Sequence, residues 1–450
     1  MTKQSTPWTR GLIAIAVLVA LVAAACGNAS NDKPAASTSP PGTGGSGVAV
    51  PGVTADEIKF SSIGTNSNNP LGTCVLDCFD QGVKAYFDYR NSEGGIYGKK
   101  LVLSKELDDE LSKNQEKALE VITANDTFGN FNAPQLASGW ADLANAGIPT
   151  YVWAINPAQA SGHDQIFGNA AVQCITCTAR YDAEIAKIAG AKKIATLGYG
   201  VSDNSKQCAE GAKKSIEQYS GDIGGAEVVY MRSDLDFGLP NGIAPEVSAI
   251  KSSGADLVIG CLDLNGMKTL SEEMERQGIG DTKLLHPNTY DQTFVKENAS
   301  LFEGDYVLVQ FRPFEAEAGS SSLDAFKEWM GKNGDTITEL SMLGWINADL
   351  AYQGIKAAGE NFNRQSVIDA TNQITDYTAD GLIAPIDWSR QHVAPTQEDS
   401  ATHGPKYDCF ALVQVKDGAF QMVGDSSKPW SCWPGDTRDW SEPTSMDFSS

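Results

Sequence analysis

Two doubly wound α/β lobes, each built on its own parallel sheet, are the fold class this sequence predicts. Three observations carry the prediction. From residue 56 onward, strand-like and helix-like segments alternate with short turns between them, the pattern of βα units wound onto parallel sheets. That alternation runs once to about residue 172 and starts afresh near Cys177, which implies two sheets. The chain behind its N-terminal leader, roughly 400 of the 450 residues, is also more than one hydrophobic core normally holds.

The leader comes first in the chain. Lys3 and Arg10 give it a basic start, 11–25 is an apolar run, and Ala23-Ala24-Ala25 stand directly before Cys26. Residues 1–25 therefore read as a secretory signal, too short for a permanent membrane span. The Cys after small residues resembles the lipobox of bacterial lipoproteins, with Ala23 where that motif usually has Leu. The resemblance implies lipidation at Cys26 and a protein held on the extracytoplasmic face of a cell membrane. Residues 26–53 are rich in Ser, Thr, Pro, Gly and Ala, a composition that buries too little surface to offset chain entropy. They are expected to act as a flexible tether with a reach of about 30 Å.

The first series of elements then follows. Residues 57–63 alternate as a strand and end in the polar run Thr65-Asn66-Ser67-Asn68-Asn69-Pro70. A helix over 78–91 has Val83, Tyr86, Phe87 and Arg90 at helical spacing and is stopped by Gly94-Gly95. A strand over 100–107, a helix over 114–124 and a short buried strand over 128–132 come next. They are followed by a helix over 140–146 and strands over 149–155 and 165–172.

The second series has helices over 181–188, 206–219, 244–252 and 267–277, with Gly190, Gly254 and Gly278 as stops. Strands are expected between them at 193–198, 227–231, 256–261 and 283–287. The remainder reads as a return: a strand over 303–310, helices over 323–330, 343–358 and 365–374, and a short strand over 381–388. Residues 409–415 and 419–423 form a hairpin around Lys416-Asp417-Gly418. The tail, with Trp430, Trp433 and Trp440, reads as a wrapped extension.

Composition narrows the function. The formal charge is −23, and loss of Lys3 and Arg10 with the signal takes the mature side chains to about −25. Such a body disfavours nucleic acid and anionic lipid as partners. Nine Cys are present. With Cys26 given to lipid, an even set remains, which in an exported chain points to disulfides. Proximity favours Cys74–Cys78 and Cys174–Cys177 as local pairs, and Cys208–Cys261 and Cys409–Cys432 as longer closures, out of about 105 connectivities. The Cys174-Ile-Thr-Cys177 spacing also fits a redox motif, but it lacks the strand-to-helix setting such a site needs. No metal is expected from these pairs, because no matching His or Cys set follows them.

The segment order resembles the type I solute-binding proteins of ABC importers, in the branch like the leucine/isoleucine/valine-binding proteins. The stretches that carry the likeness are GVTADEIK at 52–59, AYFDYRNSEGGIYGKK at 85–100, IKSSGADLV at 250–258, ADLAYQGIKAAG at 348–359 and GLIAPIDW at 381–388. The resemblance implies two lobes joined by three crossovers, with lobe 1 about 54–172 plus 290–405 and lobe 2 about 173–289 plus 406–450. It implies closure on a small-molecule solute, delivery to ABC permease subunits, a monomer, no cofactor and no catalytic residue.

Carried onto this chain, the resemblance puts the ligand against Asn66 and Asn68 after the first strand and Phe131, Asn132 and Ala133 after the third. Trp153, Ala154 and Ile155 follow the fourth. Lobe 2 contributes Tyr199, Ser202, Asp263 and Asn265, and Tyr290 is a further aromatic near the predicted loops. In amino-acid binders of the branch, hydroxyls hold the ligand carboxylate where this chain has Ala133 and Ile155, and an acidic residue holds the ammonium where it has Asn265. Cys208 stands where an aromatic often faces the ligand. Both ends of the zwitterion clamp are weakened. The expectation therefore moves from a branched-chain amino acid toward another small polar or aromatic solute.

Rival readings are a hydrolase and a ligand-sensing ectodomain. None of the four His lies in a His-Glu-x-x-His motif, and no Gly-x-Ser-x-Gly elbow occurs. An enzyme is therefore not expected.

Overall fold

The structure, a computed structural model, describes residues 49–70, 72–153, 160–170, 177–287, 289–393 and 406–449. The expected signal, most of the tether, Cys26, Ala154, Ile155 and Cys174 lie outside them. Two sheets organise the chain. The first holds β1 (Glu57–Gly64), β2 (Lys100–Asp108), β3 (Gly129–Ala133), β4 (Thr150–Val152) and β5 (Ile166–Gly168) in the order β2-β1-β3-β4-β5, all parallel.

The second sheet is nine-stranded. Its parallel part is β6 (Lys193–Tyr199), β7 (Glu227–Leu235), β8 (Leu257–Cys261), β9 (Lys283–His286) and β10 (Tyr306–Val309). Antiparallel strands β11 (Tyr407–Lys416), β12 (Ala419–Met422), β13 (Trp430–Pro434) and β14 (Thr444–Met446) complete it. The order is β14-β13-β11-β10-β9-β8-β6-β7, with β12 also on β11.

Both sheets are covered on both faces, as parallel sheets must be. Successive side chains on a strand point to opposite faces, so Phe60 faces one core and Ile63 another. In the second sheet Ile194 and Ile259 face one core while Ala195 and Val258 face the other. The chain passes between the sheets after β5, after β10 and before β11, which gives the three crossovers.

Several sequence expectations need correction. Strand Tyr306–Val309, placed in lobe 1 with 290–405, is hydrogen-bonded between β9 and β11 in the second sheet. The reason is connectivity: two short helices, Gln292–Glu297 and Ala299–Phe302, suffice to return the chain beside β9. The stretch 381–388 is no strand; it makes one isolated bridge, Tyr377↔Ile386, and a 3₁₀ turn at Trp388–Arg390. The tail is part of the second sheet, since β13 pairs with β11 and sets Cys409 opposite Cys432. The disulfides Cys74–Cys78, Cys208–Cys261 and Cys409–Cys432 are present. Cys177 is disulfide-bonded as well.

The lobe 1 core rests on one helix pair. Helix α1 (Leu76–Ser92) buries Phe79, Val83, Tyr86 and Phe87, and packs on the long helix Glu339–Ala358. Thr338 and Ser341 form a capping box at the start of that long helix. The two helices approach so closely that a Cβ on Gly82 would lie 1.8 Å from the Ser341 carbonyl oxygen, and one on Gly344 2.0 Å from that of Phe79. Backbone atoms cannot step aside there. Gly82→Ala and Gly344→Ala are each expected to destabilise by about 1–3 kcal/mol or more through overpacking, seen as a lower melting midpoint in calorimetry.

Candidate functional site

In open parallel sheets the loops beyond the carboxyl ends of the strands form the ligand crevice. In lobe 1 those loops are set by a buried polar seam. Ser61 Oγ accepts from Asn130 Nδ2 at 3.0 Å, and Asn130 Oδ1 from Asn132 Nδ2 at 3.1 Å. Asn132 Oδ1 in turn accepts from Asn114 Nδ2 at 3.1 Å and Trp140 Nε1 at 3.0 Å. Asn114 also reaches Asp109, whose other oxygen accepts from the Thr65 hydroxyl at 2.8 Å. Burial raises the Asp109 carboxyl above the usual carboxylate range.

Thr65 passes this order outward. Its hydroxyl accepts from the Gln135 backbone N–H at 3.0 Å, and Gln135 Nε2 donates to Asn69 Oδ1 at 2.7 Å. Asn69 Nδ2 closes the loop onto the Thr73 carbonyl at 2.7 Å. The Cys74–Cys78 disulfide then ties the far end of that loop to the first turn of α1.

The lobe 2 side is built at helix starts. Ser202 caps Asp203–Gln218, accepting from the Ser205 N–H at 3.4 Å. Asp263 caps Leu264–Arg276, accepting from the Gly266 N–H at 3.1 Å. The second Asp263 oxygen takes the hydroxyl of buried Tyr199, which also packs edge-on against Phe237 with centroids 5.3 Å apart. Burial raises both Tyr199 and Asp263. Cys208–Cys261 fastens helix Asp203–Gln218 to the end of β8, next to Asp263 and Asn265.

The two sides meet. A Cβ on Gly72 would sit 2.1 Å from Asn265 Nδ2, and one on Gly238 would sit 3.1 Å from the Pro70 ring. Pro70 and Gly72 of lobe 1 are thus in contact with the loop after β7 and the helix after β8 of lobe 2. Gly72 has φ +66°, a backbone conformation that favours glycine.

The expected ligand residues divide in two. Asn66, Asn68, Ser202 and Asp263 lie on loops at the crevice ends of the strands, Asn265 lies in the first turn of helix Leu264–Arg276, and half-buried Trp153 follows β4. The Asn66 amide donates to Asp77, and its backbone N–H to Asp108 at 3.0 Å. Asn68 is exposed, at φ 55°. Tyr199 ends β6 and serves Asp263.

Phe131, Asn132 and Tyr290 sit in buried packing instead. Phe131 packs at tilted and edge-on angles among Phe60, Tyr151 and Phe87. Asn132 belongs to the seam, because strand alternation sends it to the face opposite Phe131. Tyr290 is walled in by Phe314 and Phe420, each 4.9 Å away, and its hydroxyl donates to Glu315 and accepts from the Phe314 N–H. Ala133 is fully buried and offers its carbonyl to the Thr65 N–H at 3.3 Å.

Sequence reasoning missed Gly72, Gly238 and the side chain of Gln135. The close Cys74/Cys78 spacing was the one local sign of a stiffened loop at Gly72. Among the described residues no group of three or more His, Cys, Asp or Glu is placed to hold a metal ion, and no helix is long and apolar enough to cross a membrane.

Known proteins place this geometry. A family model described as "Periplasmic binding protein" matches residues 74–419. No curated protein matches by sequence. Among solved structures, a fatty acid ABC transporter substrate-binding protein from Thermomonospora curvata is 17% identical at TM-score 0.62, covering 84% of this chain and 93% of its own. A leucine-binding protein LivK from Thermotoga maritima is 14% identical at TM-score 0.62, covering 82% and 98%. An ABC transporter solute-binding protein from R. palustris in complex with benzoate is 17% identical at TM-score 0.61, covering 85% and 99%. With two wound lobes, three crossovers and loops that meet across a crevice, this chain belongs to the periplasmic binding protein family and is a solute-binding component of the type I fold.

Proposed function

We propose that the chain is the lipid-anchored, extracytoplasmic binding component of an ABC importer, which captures a small polar or aromatic solute between its lobes and hands it to permease subunits. The observation that carries this reading is the contact of Pro70 with Gly238 and of Gly72 with Asn265, at the crevice edge where a solute would be enclosed. Structures of similar fold include a fatty acid ABC transporter substrate-binding protein and a leucine-binding protein, so the fold itself accommodates varied ligands. Both oxygens of Asp263 are already engaged, and Ala133 offers no hydroxyl, which weighs against an amino acid. Binding without turnover is the proposed activity, as a monomer. Lobe 1 and lobe 2 act as the moving bodies, with hinge closure as the mechanism.

The anchor is tested at Cys26. Cys26→Ser is expected to abolish incorporation of labelled fatty acid and release the protein from the membrane fraction in cells. Retention of label would contradict lipidation at Cys26. Deletion of the gene is expected to abolish uptake of the solute bound by the purified protein; unchanged uptake would contradict the importer role.

A further inference from the structure

The loops at the crevice carry a charge pattern that narrows the ligand. The described segments 65–70, 72–73, 133–137, 169–170, 199–204, 235–242, 262–266 and 289–291 hold Asp203, Asp236, Asp263 and Asp291. They contain no Lys, Arg or His; the loop after β2 brings Lys113, which is paired with Glu110 at 2.7 Å. On β7, Arg232 is paired with Asp234. Lys206, exposed and one turn into helix Asp203–Gln218, is the nearest cation along the chain to the β6 loop. Among the described residues of these loops an anion would find carboxylates and no unpaired cation, inside a chain whose overall formal charge is −23. Removing an anion from water without a paired cation is unfavourable unless hydrogen-bond donors replace its hydration.

The polar groups that remain favour a donor. Gln135 Nε2 is held by Asn69 at 2.7 Å, while its Oε1 is buried with no hydrogen-bond partner among the described residues. A buried acceptor without a partner is unfavourable, and it is satisfied by an O–H or N–H. A carboxylate has neither to give. Asp263, the acidic group closest to an ammonium-holding position, has one oxygen on Tyr199 and the other on the Gly266 N–H.

Resting on the solute-binding reading above, we propose that the crevice takes an uncharged solute rich in hydroxyl or amide donors, in the class of sugars, polyols and amides, and rejects small carboxylates and zwitterionic amino acids. Gln135 Oε1 accepts from that solute, and half-buried Trp153 after β4 offers a ring face to its apolar side.

The test starts with protein purified natively from its own cells. The small molecule it releases on denaturation is identified by mass spectrometry, and the authentic compound is titrated calorimetrically into the refolded, reoxidised chain. An uncharged molecule is expected, with affinity unchanged by added salt and by Lys206→Ala, and weakened about tenfold by Gln135→Leu. A released anion or amino acid overturns the inference and leaves the solute-binding reading standing, as does affinity that falls with salt or with Lys206→Ala. If nothing is released, glucose, sorbitol, acetamide, leucine and benzoate are titrated in turn. Heat from the first three alone supports the inference, and heat from leucine or benzoate overturns it. No heat from any of them overturns the solute-binding reading and the inference with it. Gln135→Leu is read only if its melting midpoint matches that of the parent chain.

Discussion

Gly72→Val is expected to hold the lobes apart and to weaken solute binding by at least tenfold. Two effects combine. At φ +66° a β-branched residue is strained, by roughly 1–2 kcal/mol. Its Cβ would also begin 2.1 Å from Asn265 Nδ2, the end of a flexible side chain on the helix after β8, so Gly72 can seat there only once that side chain has turned away. The backbones on the two sides are fastened, so the relief falls to the Asn265 side chain and the strain at Gly72 remains. Asn69 and the Cys74–Cys78 disulfide hold one, and Cys208–Cys261 and the Asp263 cap hold the other. If closure is the binding-competent state, lowering its population reduces apparent affinity in the same proportion. Asn265→Ala on the Gly72→Val background is expected to restore part of the affinity, because it removes the clash and leaves the backbone strain. A double-mutant cycle measured by calorimetry separates the two. Full affinity in Gly72→Val would show that this contact has no part in closure.

The second large effect concerns pH. Asp182 lies at the start of helix Tyr181–Ala189, 5% exposed, and burial, reinforced by Asp408, pushes its carboxyl up to about 7. Its unfolded value is about 3.9. A carboxyl raised on folding holds more protons in the native state, so its stabilisation is complete below about pH 4 and is lost as pH rises through 7. Between pH 5 and pH 8 the loss from Asp182 alone is about 2–3 kcal/mol. Asp80, Asp305 and Asp349 are raised by burial as well and act in the same direction. Asp108 and Asp447, lowered by hydrogen bonds, act in the opposite direction and set the acid limit. The melting midpoint is therefore expected to be higher near pH 5 than at pH 8, with Asp182→Asn flattening the difference. A midpoint that rises steadily from pH 5 to pH 8 would contradict the burial of Asp182.

Much of the fold was legible because βα alternation is a local signal. Apolar periodicity, helix-ending glycines and Gly-bounded strands locate β1 to β9 and the helices between them to within a few residues. What failed was assignment across distance. Strand Tyr306–Val309 looks alike in either lobe, and only its hydrogen bonds to Leu285 and Ala411 neighbours decide the matter. The tail tryptophans read as a wrapped, disulfide-held extension because pairing of β13 with β11 is set by register, which composition does not reveal.

The crevice was partly legible for a related reason. Strand ends name the loops beyond them, which is where the structure places Asn66 and Asp263, with Asn265 in the first turn of the following helix. Which way a side chain leaves a strand depends on register, so Phe131 and Asn132 were taken for pocket residues although one fills a core and the other a buried seam. Gly72 has no side chain to read, and its role exists only once Asn265 stands opposite.

Small-angle scattering tests most directly whether the two lobes enclose a solute. The native protein is measured as purified, again after its bound small molecule has been removed by unfolding and refolding with the disulfides reoxidised, and a third time after the released material is added back. The stripped chain is expected to have the larger radius of gyration and to contract on restoration, while Gly72→Val stays expanded throughout. Identical scattering from the solute-bound and stripped protein, with binding confirmed by calorimetry, would contradict closure of the lobes on the solute.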